Sequence, residues 1–179
     1  MTDTHIKMER KWAMPNQWTF KIKPIAELIK RYTIDGKGWV DPFAGKYSPA
    51  EYRNDLNPEI QVESHLDATE FLKRTHDYFD GGFYDPPYSL RQIVECYKGF
   101  GQTIDKKWAT TKFNSDVKTL LADRIKPNGF AISCGWNSIG LGKARGFKII
   151  EILLVSHGGS HNDTIITVEQ KKSPFDDKE

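Results

Sequence analysis

Apolar positions along the chain follow two periods. After Pro24, residues Ile25, Leu28, Ile29 and Tyr32 recur at helical spacing and predict a helix of about two turns, ended by Gly36 and Gly38. Short apolar runs bounded by turn residues predict strands instead. They lie at Gly38–Asp41, near Glu51–Asp55, over Gln61–Leu66, at Gly81–Tyr84 and at Phe130–Cys134. Two longer runs, Phe147–Val155 and Thr164–Val168, flank Ser-His-Gly-Gly-Ser-His-Asn-Asp and read as an antiparallel hairpin. Further helices are expected from Asp67 and from Ser115, the latter with Val117, Leu120, Leu121 and Ile125 on one face and Lys126-Pro-Asn-Gly129 as its stop. A short helix is expected over residues 140–145. Residues 1–11 and the charged tail from Ser173 read as loose or peripheral. Strands alternating with helices imply an open α/β sheet, largely parallel, in one domain spanning residues 1–179.

The most informative stretch is Gly81-Gly-Phe-Tyr-Asp-Pro-Pro-Tyr-Ser89. A Pro-Pro pair cannot continue a central strand, because neither residue donates a backbone N–H. Asp85 therefore stands at the carboxyl end of a strand, with Pro86 and Pro87 stiffening the turn and Tyr88 following. That edge of an α/β sheet is where ligands bind. An exocyclic aromatic amine is a poor nucleophile, since its lone pair is delocalised into the ring. A carboxylate accepting one N–H and a prolyl carbonyl accepting the other draw the nitrogen toward a tetrahedral shape, and an aromatic ring beside them holds the base by stacking. The alternative is a plain strand end with Asp85 bonded to nearby backbone.

Asp41, Asp55, Asp67 and Asp85 recur near the ends of successive predicted strands. Asp41-Pro-Phe-Ala-Gly45 places small residues where another molecule can approach closely. Asp55 reads equally as a ligand for a ribose diol or as an Asx turn before Pro58. Asp67 reads as an N-cap or as a ligand contact. Residues 89–113 interleave Arg91, Lys98, Lys106, Lys107 and Lys112 with Tyr97, Phe100, Trp108 and Phe113. As a group they suit a mobile nucleic-acid contact; residue by residue they also suit a helix and a solvated loop.

Composition narrows this only a little. The chain has 179 residues, 38% of them hydrophobic, which supports a sizeable core. A net charge of +2 does not mark a general polyanion binder, so any basic surface is local. Cys96 and Cys134 form no metal-spaced set, and no metal is expected. Without a signal peptide or a long apolar run, a cytoplasmic protein is expected.

Taken together, these motifs resemble the class I S-adenosylmethionine-dependent amino-methyltransferases of the Asp-Pro-Pro-Tyr type, chiefly DNA adenine-N6 enzymes, with small phage or prophage methylases as the nearest likeness. The resemblance covers roughly residues 18–170. It implies a Rossmann-like, mostly parallel seven-stranded sheet with an antiparallel C-terminal hairpin and helices on both faces. It assigns the catalytic motif to Asp85, Pro86, Pro87 and Tyr88. It assigns S-adenosylmethionine to Asp41, Pro42, Phe43, Ala44 and Gly45 for the methionine part, Asp55 and Leu56 for the ribose, Asp67 and Ala68 for the adenine, and also Asp85. The segment Trp18–Pro24, with Phe20, Ile22 and Lys23, closes over the amino-acid end of the cofactor. Tyr88, Arg91, Lys98, Lys106, Lys107, Trp108 and Lys112 are the expected DNA contacts. Cytosine N4, RNA adenine and a catalytically weak binding subunit are the alternatives. Two features depart from the pattern. Lys46 and Tyr47 stand where a further glycine is usual, and the connection from Asp41 to Asp55 leaves little room for a first helix. No separate target-recognition domain fits into 179 residues, which implies low sequence specificity, or recognition by residues 89–113, by a specificity partner or by a homodimer.

Overall fold

The structure is a computed structural model, and it describes residues 5–101 and 112–173. Seven strands form one sheet: β1 (Lys7–Trp12), β2 (Trp39–Asp41), β3 (Tyr52–Arg53), β4 (Phe79–Tyr84), β5 (Ile125–Gly135), β6 (Phe147–Ser156) and β7 (Thr164–Lys171). Their order across the sheet is β1-β6-β7-β5-β4-β2-β3. Only β7 runs against its neighbours, pairing antiparallel with both β5 and β6. The remaining pairs are parallel. The mostly parallel sheet and its antiparallel terminal hairpin agree with the sequence reading.

Helices cover both faces. On one lies α1 (Lys23–Thr33), whose Ile25, Leu28 and Ile29 pack with Trp39, Phe83, Ile132 and Val168. On the other lie α2 (Ala68–Arg74), α3 (Leu90–Gly99) and α4 (Phe113–Arg124), contributing Leu72, Ile93, Val117 and Leu121 to a second core with Val40, Tyr84 and Ala131. Gly81 makes room for the Trp39 ring, since a Cβ there would lie 2.6 Å from it.

Four expectations need correction. Residues 7–11 are not loose. They belong to an edge strand, held by backbone pairing to β6 and by Lys7 on buried Glu151 at 3.0 Å, a carboxylate also bonded by Arg31 and by the Tyr32 hydroxyl at 2.7 Å. The strand expected over 61–66 shrinks to a single bridge between Asn54 and Ser64, because Ser64 alone reaches the neighbouring edge. The helix expected from Ser115 begins at Phe113, with Ser115 inside it, because the buried Phe113 side chain belongs to its apolar face. It gives way at Ile125 to β5, which absorbs Lys126–Gly129. Residues 140–145 hold only a 3-10 turn, Lys143–Arg145, closed by Gly146 in the left-handed region.

The strand order reverses between β2 and β4. The chain leaves β2 toward β3 on one side and leaves β4 toward β5 on the other. The loops after these strands therefore diverge and leave a crevice at the carboxyl edge of the sheet.

Candidate active site

The loop after β2 is built around Asp41, which is fully buried. Its carboxylate accepts from the Phe43 amide at 2.9 Å and the Ser48 hydroxyl at 2.6 Å, so it folds residues 42–48 into consecutive turns. Burial pushes its pKa up to about 7, against the pull of these hydrogen bonds. Residues 42–51 contain no helix, as the short connection implied. Gly45 sits at φ +53°, and a Cβ there would lie 3.2 Å from the Trp18 ring. Trp18 in turn meets Tyr47 edge to face at 5.9 Å, so the two rings form a roof over the loop.

The neighbouring wall is pinned by Asn54, 1% exposed. Its side-chain amide donates to the Pro42 and Leu66 carbonyls and accepts from the Leu66 amide, joining three segments. Asp55 follows. One of its oxygens accepts from the Gly45 amide and the other from the Asn57 amide, both at 2.8 Å. The Asx turn is therefore present, and it leaves about two of the four lone-pair sites of the carboxylate for a ligand.

Asp67 is different. It caps α2, accepting from the Thr69 amide and hydroxyl and the Glu70 amide, and it also accepts from the Tyr97 hydroxyl. Three of these donors converge on Oδ1 and only the Tyr97 hydroxyl reaches Oδ2. The N-cap reading of Asp67 is therefore present, and the residue itself does not line the cleft. Leu66, Ala68 and Tyr97 present the surface at that point.

Asp85 stands half-buried at the end of β4, and its carboxylate accepts from the Tyr88 hydroxyl at 2.6 Å. Thr19 lies 3.5 Å from the same hydroxyl. Burial raises the Asp85 carboxyl above its ordinary range, with the Tyr88 and Thr19 hydrogen bonds opposing. Burial and the Asp85 charge both raise the Tyr88 phenol. The turn is rigid because Ser89 and Gln92 form a capping box on α3, with the Gln92 side chain also accepting from the Tyr88 amide at 2.8 Å.

These pieces enclose one cleft of about 310 Å³. At one end lie Asp85, Pro86, Pro87 and Tyr88; at the other lie Phe43, Ala44, Gly45, Asp55 and Leu56, under Trp18 and Phe20. Pro42 and Ala68 also line it. Four expected residues do not. Asp41 and Asp67 act from behind the wall, Ile22 is packed in the core beneath α1, and Lys23 is exposed at the first residue of that helix. Of the expected DNA contacts, Tyr88 lines the cleft, Arg91 is exposed and paired with Glu95, and Lys98 and Lys112 are exposed on either side of the segment. Lys106, Lys107 and Trp108 lie outside the described residues. Sequence reasoning missed Asn54 as a wall residue, and it read Tyr97 and Phe113 as nucleic-acid contacts where the structure places them in the cleft wall. These three carry no motif of their own and reach the wall through tertiary packing.

The donor set suits a nucleoside bearing an amino-acid chain. Asp55 has free acceptor capacity for hydroxyls, Leu56, Leu66, Ala68 and Phe113 supply apolar surface for a ring, and the Gly45 turn leaves room for a polar chain under Trp18. Among the described residues no group of three His, Cys, Asp or Glu side chains is placed to hold a metal ion. None of the described helices is long and apolar enough to cross a membrane.

No protein-family model matches the sequence, and no curated protein matches it at the sequence level. Solved structures do match its fold. TrmN from Thermus thermophilus superposes with a TM-score of 0.55 at 17% identity, over 84% of this chain and 49% of that one, so the chain spans about half the length of TrmN. A 1,6-didemethyltoxoflavin-N1-methyltransferase from Burkholderia thailandensis, solved with bound 1,6-didemethyltoxoflavin and S-adenosylhomocysteine, gives 0.56 at 11% identity over 84% and 78% of the two chains. A putative methylase from Haemophilus influenzae gives 0.51 at 15% identity over 89% and 92%. The fold is that of the class I methyltransferases.

Proposed function

We propose that this chain transfers a methyl group from S-adenosylmethionine to the exocyclic N6 amine of adenine in DNA. One observation carries the reading. The Asp-Pro-Pro-Tyr turn and the Gly45–Asp55 wall face one cleft, so an amine-positioning acid and a nucleoside-binding acid share a single cavity. S-adenosylmethionine, when bound, supplies an electrophilic methyl carbon on a cationic sulfur. Asp55 holds the ribose hydroxyls with its remaining lone pairs. Leu66, Ala68, Tyr97 and Phe113 hold the cofactor base, and Trp18 and Phe20 exclude water from the amino-acid end.

At the other end, Asp85 and the Pro86 carbonyl each accept one amine N–H. The nitrogen lone pair is then freed from the ring and aimed into the cleft. A methyl group delivered from that sulfur would go to this lone pair, the S–C bond breaking as the N–C bond forms, and the proton released from the amine would pass to Asp85 or to solvent. Because Tyr88 donates to Asp85 in the described structure, the amine displaces that hydroxyl or takes a remaining lone pair. A base within a duplex reaches this site only when flipped out of the stack.

The test supplies methyl-tritiated S-adenosylmethionine with unmethylated DNA and, separately, with RNA. Label is expected in DNA. Label confined to RNA redirects the reading to RNA adenine, and cofactor binding without label in either polymer contradicts nucleic-acid methylation.

A further inference from the structure

Trp136 opens the loop after β5, at the same carboxyl edge of the sheet as Asp85. Its ring meets Tyr88 edge to face, with centroids 5.7 Å apart, yet the residue remains 46% exposed. The loop that presents it is fixed. Asn137 accepts from the Ile139 amide at 3.1 Å, and the Leu141 and Gly142 amides donate to buried Glu169 at 2.6 and 2.9 Å. An exposed indole on an anchored loop contributes little to the core, and Trp136 belongs to neither apolar core. Tyr88 thus lies between two groups, with its hydroxyl on Asp85 and its ring against the indole.

We infer that Trp136 is an acceptor-positioning residue, the second aromatic wall against which the flipped adenine packs beside Tyr88. The inference rests on the amine-methylation reading above. When the amine takes the place of the Tyr88 hydroxyl on Asp85, the purine ring enters next to the indole. Stacking on an aromatic face holds a base without base-specific hydrogen bonds, because every base offers a π-face. Holding the loop by Glu169 keeps the indole in place before the base arrives, so little order is gained on binding.

Trp12 provides an internal control. It is 66% exposed at the same edge, but on the outer strand β1, with β6 and β7 between it and β5. At about 4.8 Å per strand it stands roughly 14 Å away across the sheet.

The experiment measures transfer from tritiated S-adenosylmethionine to a mixed-sequence single-stranded DNA oligonucleotide, with cofactor affinity measured in parallel. Trp136→Ala is expected to raise KM for the oligonucleotide about 5- to 150-fold, the range for losing one base–aromatic stack. Cofactor affinity should stay at the wild-type value. Trp136→Phe should restore most of the loss, and Trp12→Ala should match wild type. An unchanged KM for Trp136→Ala, or an equal rise for Trp12→Ala, overturns the inference. No transfer by the wild-type chain instead removes the functional reading, and this inference with it.

Discussion

Asp55 serves the fold and the proposed ligand at once, and replacing it separates the two contributions. Its carboxylate accepts from the amides of Gly45 and Asn57, each at 2.8 Å. Asp55→Ala leaves both amides without that partner. The residue is half-buried, so water recovers part of the loss, and about 1–2 kcal/mol of stability is the expected cost. For a domain of this size that lowers Tm by roughly 2–8 °C. The charge-assisted bonds to the ribose hydroxyls are lost as well, at about 1.5–3 kcal/mol, which corresponds to roughly 10- to 150-fold in cofactor affinity. Differential scanning fluorimetry reads the first effect. Isothermal titration with S-adenosylhomocysteine, well below the Tm of the variant, reads the second. A lower Tm with unchanged affinity refutes the ribose assignment and leaves Asp55 as a turn residue alone. Unchanged Tm and unchanged affinity refute both halves of the argument.

Three further outcomes follow from the same geometry. Asp85→Ala should reduce transfer at least 100-fold while cofactor affinity stays within about twofold, as judged by label transfer and titration together; transfer near the wild-type rate contradicts the role of its carboxylate. Tyr88→Phe keeps the ring but removes a hydrogen bond that lowers the Asp85 pKa. Since the ionised acid is the form that accepts the amine, the acid limb of the pH–rate profile should move to higher pH, and a limb that stays or moves down counts against this. Asp41 has its pKa raised by burial to about 7 in the folded chain, above about 3.9 unfolded. The folded state therefore holds the extra proton between these values, and the stabilisation present below pH 4 is lost as pH rises through 7. Asp41→Asn should abolish that dependence, so the Tm of the variant minus that of wild type should be larger at pH 8 than at pH 5, by at least about 2 °C. An equal difference at the two pH values argues that Asp41 is not buried as described.

Long periodic segments were legible from sequence because their side chains face a core. Ile25, Leu28 and Ile29 announce α1, and the apolar runs of β4 to β7 announce the sheet. Strand β1 was not legible. Its Lys-Met-Glu-Arg-Lys-Trp sequence is almost wholly exposed, and its strand state comes from backbone pairing with β6, which leaves no apolar alternation to read. The site divides in the same way. Asp85-Pro-Pro-Tyr88 and Asp41–Gly45 state their turns through proline, glycine and a buried acid. Asp67 offered two readings, and the structure shows the N-cap one, through the Thr69 and Glu70 amides that donate to its carboxylate. Trp136 gave no local signal, because its neighbour Tyr88 lies 48 positions earlier and meets it only through the pairing of β4 with β5.

The central claim is that the amine held by Asp85 belongs to adenine. Its most direct test incubates unmethylated DNA with the wild-type chain and S-adenosylmethionine, digests the DNA to nucleosides and identifies the product by mass spectrometry. N6-methyldeoxyadenosine is expected, and it should be missing with Asp85→Ala. N4-methyldeoxycytidine as the sole product, or no methylated nucleoside from a chain that binds the cofactor, contradicts the account.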